Sequence, residues 1–246
     1  MRDLLRRLLL DHIDELQVDD ICSFVYIPQQ RDLDARSYLR FASREIDACM
    51  SAERPDESLL HRINCITHLK RALMAEVDEF LCCLGLDTAI SRRNLGTDKK
   101  LGILQRIGLL SSRTVARFVS VRNRVEHEYA KPEFSPPELE VYADLITAIV
   151  ATLRVTAREF PDHVYLKVAD DDWELDYHHE EARAALSRWQ DSSYVDCPGG
   201  YVTVAGCGVD DYDNLLFALR ALFALKHFDV ENPCSRENFV ADLAEG

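Results

Sequence analysis

Apolar residues recur every three to four positions through most of residues 1–160, which is the period of an amphipathic helix. The clearest stretch is 57–84, and it ends at Gly85, a residue suited to the left-handed turn that closes a helix. Ser135-Pro136-Pro137-Glu138 has the form of a helix start, with a serine cap, a proline first position and a glutamate third position. The helices predicted from these patterns cover residues 2–16, 35–52, 57–84, 98–110, 112–129 and 136–160.

The pattern changes after Pro161, where apolar and polar residues begin to alternate as they do in half-buried strands. Strands are predicted at 164–170, 173–177 and 201–206, and helices at about 179–190 and 211–227. An earlier apolar run, 21–27, ends at Pro28 and is interpreted as a strand or a buried extended piece.

These elements predict a mainly α protein, an antiparallel helical bundle with a small C-terminal α+β appendage. The predicted divisions are an N-terminal extension (1–34), the bundle (35–160) and an acidic α+β appendage (161–246). We expect strands only in the appendage and at 21–27.

The composition of the chain predicts where in the cell the protein is located. Hydrophobic residues make up 47% of the 246-residue chain, enough for a sizeable core. No apolar run reaches the length of a membrane-spanning helix, and the apolar stretch near the N-terminus is too short for a secretory signal. The eight cysteines include no Cys-x-x-Cys pair. We therefore expect a cytoplasmic protein with reduced thiols and without a membrane partner.

Charge is unevenly distributed along the chain. The net charge is −14, yet residues 91–131 contain ten basic and only three acidic residues. A basic segment of this kind can bind a phosphate backbone that the remaining surface would repel. Alternatively, its cations belong to solvated helix faces and pair with acids elsewhere in the protein.

The segment 121–129 contains the strongest candidate chemistry. On a helix, Arg122 lies in the middle of an apolar stripe, Glu126 lies one turn later, and Asn123 and His127 follow the edge of the stripe. An arginine can hold a phosphoryl group and a histidine can move a proton near neutral pH, which together suffice for metal-free RNA cleavage. Alternatively, Arg122 and Glu126 form an ordinary helical ion pair, with His127 favoured by the helix C-terminus.

The same residues carry a resemblance to a known family. Arg122-Asn123 followed by His127-Glu128-Tyr129 resembles the signature of HEPN domains, and particularly of the HepT toxin branch. The predicted order of a long helix, a short helix, the motif helix and a closing helix is similar to that of HEPN bundles. The resemblance covers residues 35–160 and leaves out 1–34 and the acidic C-terminal part.

The resemblance implies a role for each motif residue. Arg122 would bind the scissile phosphate, His127 would be the general acid or base, and Asn123 would orient one of them. Tyr129 matches the position at which HepT-like toxins receive AMP from a nucleotidyltransferase antitoxin, although burial in the apolar stripe is the competing interpretation. The family also implies a homodimer with facing motif helices. The predicted site residues are the catalytic Arg122 and His127, the supporting Asn123, Glu126 and Tyr129, and the RNA-binding Lys99, Lys100, Arg113, Arg117 and Arg124.

Two functional hypotheses follow from the motif. The first is a metal-independent endoribonuclease of toxin–antitoxin or antiviral defence, with RNA as substrate and an antitoxin or other defence protein as partner. The second is a non-catalytic HEPN adaptor that dimerises and binds a protein or nucleotide. No cofactor or metal is predicted, because the acidic run Asp170-Asp171-Asp172 with Glu174 and Asp176 lacks the spacing of a calcium loop and is interpreted as a solvated turn.

Overall fold

The computed structural model describes residues 1–24, 26, 28, 31–110, 113, 120, 135–190 and 200–244. Its helices, in chain order, are α1 (Arg2–Asp11), α2 (Ala35–Ser51), α3 (Pro55–Cys83), α4 (Asp87–Arg92), α5 (Thr97–Arg106), α6 (Pro136–Arg158), α7 (Tyr212–Lys226) and α8 (Pro233–Ala244). Its strands are β1 (Leu16–Ser23), β2 (Pro161–Val168), β3 (Asp171–His178), β4 (Arg183–Gln190) and β5 (Gly200–Cys207).

Helices α2, α3 and α6 pack against one another and form the helical part of the molecule. Helix α2 begins at Asp34, whose carboxylate accepts a hydrogen bond from the Ser37 backbone N–H at 2.8 Å and so caps the helix. Helix α6 begins with the predicted capping box of Ser135 and Glu138. The start of α6 is therefore confirmed, as is the end of α3, where Gly85 adopts φ +66° and its N–H donates to the carbonyl of Cys82.

The five strands form one antiparallel sheet in the order β1-β2-β3-β4-β5. Helix α7 packs on one face of this sheet, and its residues 215–222 are buried on every side, including the side chain of Arg220. Helices α1, α5 and α8 pack in turn against α7. The predicted fold class is therefore wrong, because the chain has a substantial α+β part and is not a mainly helical bundle with a small appendage.

Two local differences explain this error. Residues 179–190 were expected to be helical, but β4 occupies 183–190 and lies between β3 and β5. Its alanines and leucine favour a helix in isolation, yet pairing on both sides and burial of Leu186 against the core outweigh that preference. The second difference is β1, which begins at Leu16 and pairs with β2, so residues 16–23 join the C-terminal strands.

The helical part and the sheet share one continuous core. Phe80 of α3 and Tyr177 of β3 both make edge-to-face contacts with Phe160, which precedes β2. The Tyr177 hydroxyl also donates a hydrogen bond to the carbonyl of Leu84. Residues 1–23 and the sheet are thus built on the same core as the bundle. No helix within the described ranges is both long and apolar enough to cross a membrane.

Candidate functional site

The predicted motif lies in the connection between α5, which ends at Arg106, and α6, which begins at Pro136. Seven of the predicted site residues fall outside the described residues. They are Arg117, Arg122, Asn123, Arg124, Glu126, His127 and Tyr129.

Three of the predicted RNA-binding residues are described. Lys99 and Arg113 are exposed, and Lys100 lies partly buried on α5. The Nζ of Lys100 lies 2.8 Å from Oδ1 of Asp78 on α3, an ion pair that fixes α5 against the bundle. Of these three, Lys99 and Arg113 are thus the cations that a ligand can reach from solvent.

Two further cations of the basic segment, Arg93 and Arg106, have partners within the protein, as Lys100 does. Nη2 of Arg106 lies 2.7 Å from Oδ1 of Asp213, and the guanidinium of Arg93 lies 4.4 Å from the ring centroid of Tyr212. Both contacts join the basic segment to the start of α7. This part of the basic segment therefore holds the bundle and the α+β part together.

A pocket lies between the start of α2, the last third of α3 and the end of α6. Its floor is a buried ion pair, in which Arg154 donates two hydrogen bonds to Glu76, Nε to Oε1 at 3.2 Å and Nη2 to Oε2 at 2.5 Å. Both carboxylate oxygens of Glu76, which is 4% exposed, are thereby satisfied. This pair links α3 to α6 in the interior.

The wall of the pocket is also charged. Glu79 accepts a hydrogen bond from the Tyr26 hydroxyl at 2.6 Å and pairs with Arg31 at 3.1 Å. Burial raises the pKa of Tyr26, and the neighbouring Glu79 raises it further, so the hydroxyl stays protonated and acts as a donor. These bonds tie the chain before α2 to α3, and the pocket is explained as a structural network.

A different cluster lies on the face of the sheet opposite α7. His163 of β2 and Asp176 of β3 are direct cross-strand partners, and Glu174 lies two residues from Asp176 on the same face. The two ring nitrogens of His163 contact the two carboxylates, Nε2 with Glu174 and Nδ1 with Asp176. The side chains of Glu174 and Asp176 are only 11% and 14% exposed.

The surroundings of this cluster are poor in positive charge. Asp162 lies near enough for its charge to raise the pKa of Asp176. Burial is the largest cause of that raised pKa, and Glu174 raises it further against the opposing effects of His163 and His178. Within the described ranges, the ion pairs of Glu174 and Asp176 are those with His163, and none involves lysine or arginine.

This cluster was not predicted from the sequence. Glu174 and Asp176 were interpreted as parts of a solvated turn, but both lie within β3 and are largely buried. They are two residues apart, so both lie on one face if the segment is a strand, and this spacing could have indicated that they act together. His163 carried no such signal, because only the register between β2 and β3 brings it beside them.

Comparison with known proteins adds no identification. Neither a protein-family model, nor a curated protein, nor a solved structure matches this chain.

Proposed function

We propose that the protein is a metal-independent endoribonuclease of HEPN type that acts in toxin–antitoxin or antiviral defence. The observation that carries this proposal is the motif Arg122-Asn123-x3-His127-Glu128-Tyr129 within one basic segment. Its position supports the proposal, since the segment that contains it connects α5 to α6, two helices that both pack on α3. Lys99 within α5 and Arg113 within the connection add exposed positive charge.

The proposed reaction is cleavage by the neighbouring ribose hydroxyl. The 2′-oxygen attacks the phosphorus while the bond to the 5′-oxygen breaks, which leaves a 2′,3′-cyclic phosphate and a 5′-hydroxyl. His127 removes the proton of the 2′-hydroxyl or delivers a proton to the leaving 5′-oxygen. A water molecule carries out the other of these two proton transfers. Arg122 neutralises the negative charge that develops on the phosphate oxygens, and Asn123 orients the phosphate.

The decisive experiment compares wild type with His127→Ala and Arg122→Ala on total RNA in the presence of EDTA. Each substitution should lower cleavage by about 10²–10⁴-fold, because each removes a group that acts in the transition state. The double variant should lose little more than either single variant. His12→Ala, which changes an exposed histidine just after α1, is the matched control and should leave cleavage unchanged. Equal cleavage by wild type and His127→Ala would contradict the proposal.

RNA binding should depend on salt although the protein as a whole is acidic. Binding by Lys99, Arg113, Arg117 and Arg124 releases counterions from the RNA, so affinity should fall as the salt concentration rises. Filter binding of His127→Ala at several salt concentrations measures this slope without interference from cleavage.

A specific observation favours the second candidate, a non-catalytic adaptor. Arg93, Lys100 and Arg106 all have partners within the protein, which reduces the positive charge available to an RNA backbone. The adaptor would use the motif region to dimerise, with Arg122 and Glu126 as an ion pair of the interface. Light scattering separates the candidates: if wild type is an inactive dimer and Arg122→Ala is a monomer, the adaptor is favoured.

The mass of the intact chain must accompany these assays. An AMP group on Tyr129 would silence the enzyme and would add one adenylyl group to the measured mass. A silent protein of unmodified mass would count against the ribonuclease.

A further inference from the structure

The cluster of His163, Glu174 and Asp176 has the composition of a metal centre. One ring nitrogen of His163 and one oxygen from each carboxylate lie within 4.8 Å of one another. Ligands that surround a single transition-metal ion lie about 2.0–2.2 Å from it, so small side-chain movements bring these three atoms around one ion. Two paired strands fix the spacing, because His163 and Asp176 are register partners and Glu174 is the next residue on that face.

The charges of the cluster do not balance without a cation. Asp162, Glu174 and Asp176 supply three carboxylates, and His163 and His178 supply at most two positive charges. Even with both imidazoles fully protonated, an excess of one negative charge would therefore remain in a half-buried site. Such an excess is costly unless a counter-charge lies nearby.

Hydrogen bonding is also incomplete. Oδ1 of Asp162 and Oδ1 of Asp176 are both buried, and neither accepts a hydrogen bond within the described part of the chain. The contact of Asp176 with His163 lacks hydrogen-bond geometry, although the two atoms are close. Buried carboxylate oxygens of this kind are normally satisfied by a donor or by a metal ion. A simple histidine–carboxylate pair does not account for both oxygens.

We propose that His163, Glu174 and Asp176 bind a divalent first-row transition metal ion such as Zn²⁺. An imidazole nitrogen with two carboxylate oxygens suits Zn²⁺, whereas Ca²⁺ and Mg²⁺ prefer sites made of oxygen ligands alone. Three protein ligands leave the fourth position of a tetrahedral ion open. This position lies on the face of the sheet that also carries Cys22, the register partner of His163 in β1, and Tyr165, whose ring centroid lies 4.7 Å from that of His163.

The proposal assigns the site a role separate from RNA cleavage. The ligands come from β2 and β3 alone, and the ion joins those strands on the face that α7 does not cover. Its binding free energy therefore adds to the stability of the sheet.

Isothermal titration with Zn²⁺ tests the proposal directly. The metal-free protein should bind one equivalent, and His163→Asn and Asp176→Asn should each weaken binding by more than about tenfold, since even loss of a supporting residue has that effect. An exposed histidine after α1 and an exposed aspartate of β3 provide matched controls. His12→Asn and Asp172→Asn keep the three ligands and should bind as wild type does.

Thermal unfolding provides an independent readout. Zn²⁺ should raise the Tm of wild type and of both controls but not of His163→Asn or Asp176→Asn, and Mg²⁺ at the same concentration should not raise it. The Tm in EDTA shows that the variants fold, because Asp176→Asn removes one charge from a cluster with an excess of negative charge. Equal Zn²⁺ affinity of wild type and Asp176→Asn, or no saturable binding by wild type, would overturn the proposal. Neither measurement depends on RNA cleavage.

Discussion

At the scale of single residues, buried charges determine how the helices fit together. Glu76 is almost completely buried in α3, and it is stabilised because the guanidinium of Arg154 meets both of its oxygens. Removing one partner of such a pair leaves the other charge unpaired in the interior, which costs far more than the net value of the intact pair.

Arg154→Gln should therefore lower the free energy of unfolding by about 3–5 kcal/mol. Arg158→Gln is the matched control, one turn later on the same helix, with an exposed side chain and an expected change within about 0.5 kcal/mol. Urea unfolding followed by circular dichroism measures both. Similar losses in the two variants would show that the buried pair has no special role.

The cap of α2 should make the free energy of unfolding depend on pH in the acid range. Burial alone would raise the pKa of Asp34, but hydrogen bonds from the side chain and backbone of Ser37 outweigh it and hold the pKa below its ordinary value of 3.8. The charged cap is therefore fully effective above pH 3.8, and its contribution is lost as the pH falls through the lowered pKa.

Asp34→Ala should cost about 1 kcal/mol at pH 7, and the difference from wild type should shrink below pH 3.8 as the wild-type carboxylate is protonated. Urea unfolding at a series of pH values measures this difference. Asp32→Ala changes an exposed neighbour and should show almost no loss at pH 7. A deficit of Asp34→Ala that grows in acid would contradict the argument.

At the scale of elements, the end of α3 connects the helices to the sheet. Gly85 has φ +66°, and a Cβ at this position would overlap the backbone carbonyl of His179 in the turn between β3 and β4. Only a residue without a side chain allows the helix end to lie so close to that turn.

Gly85→Ala should lower the free energy of unfolding by more than about 2 kcal/mol, because it combines a left-handed conformation with overlap against the backbone. Gly102→Ala provides the contrast, since Gly102 lies within α5 and an added Cβ would meet nothing within 4 Å. Gly102→Ala should raise the free energy of unfolding by about 0.5–1 kcal/mol, because alanine favours a helix more than glycine does. Chemical denaturation measures both changes, and a tolerated Gly85→Ala would disprove the close approach.

At the scale of the whole molecule, the two ends of the chain build one unit. Helix α1 packs on α7, and β1 forms an edge of the sheet beside β2. Leu5 and Leu9 of α1 are completely buried in the core that these C-terminal elements share. The N-terminal residues are therefore needed to complete the α+β part.

Leu9→Ala should lower the free energy of unfolding by about 2–5 kcal/mol, the usual loss when a fully buried leucine is truncated. Arg7→Ala, on the exposed side of the same helix, should change it by less than about 0.5 kcal/mol. Thermal and urea unfolding of the full chain measure both. A small effect of Leu9→Ala would show that α1 is a dispensable extension.

How far the sequence predicted the molecule depends on the range of the interactions involved. The bounds of α2 and α3, the glycine that ends α3 and the capping box of α6 depend on residues a few positions apart, and the sequence predicted them closely. The candidate motif around Arg122 and His127 is also a local pattern. It stays a prediction, because those residues lie outside the described part of the structure.

Three features could not be predicted from such local patterns. They are the strand at 183–190, the pairing of β1 with β2, and the cluster of His163 with Glu174 and Asp176. Each depends on residues that are distant in sequence and meet only through the register of the sheet. Local propensity and spacing alone therefore determined α2 and α3, the glycine that ends α3 and the capping box of α6. Tertiary structure alone decided that β4 is a strand and that three separate ionisable side chains meet, because burial and strand pairing outweigh the preferences of short segments.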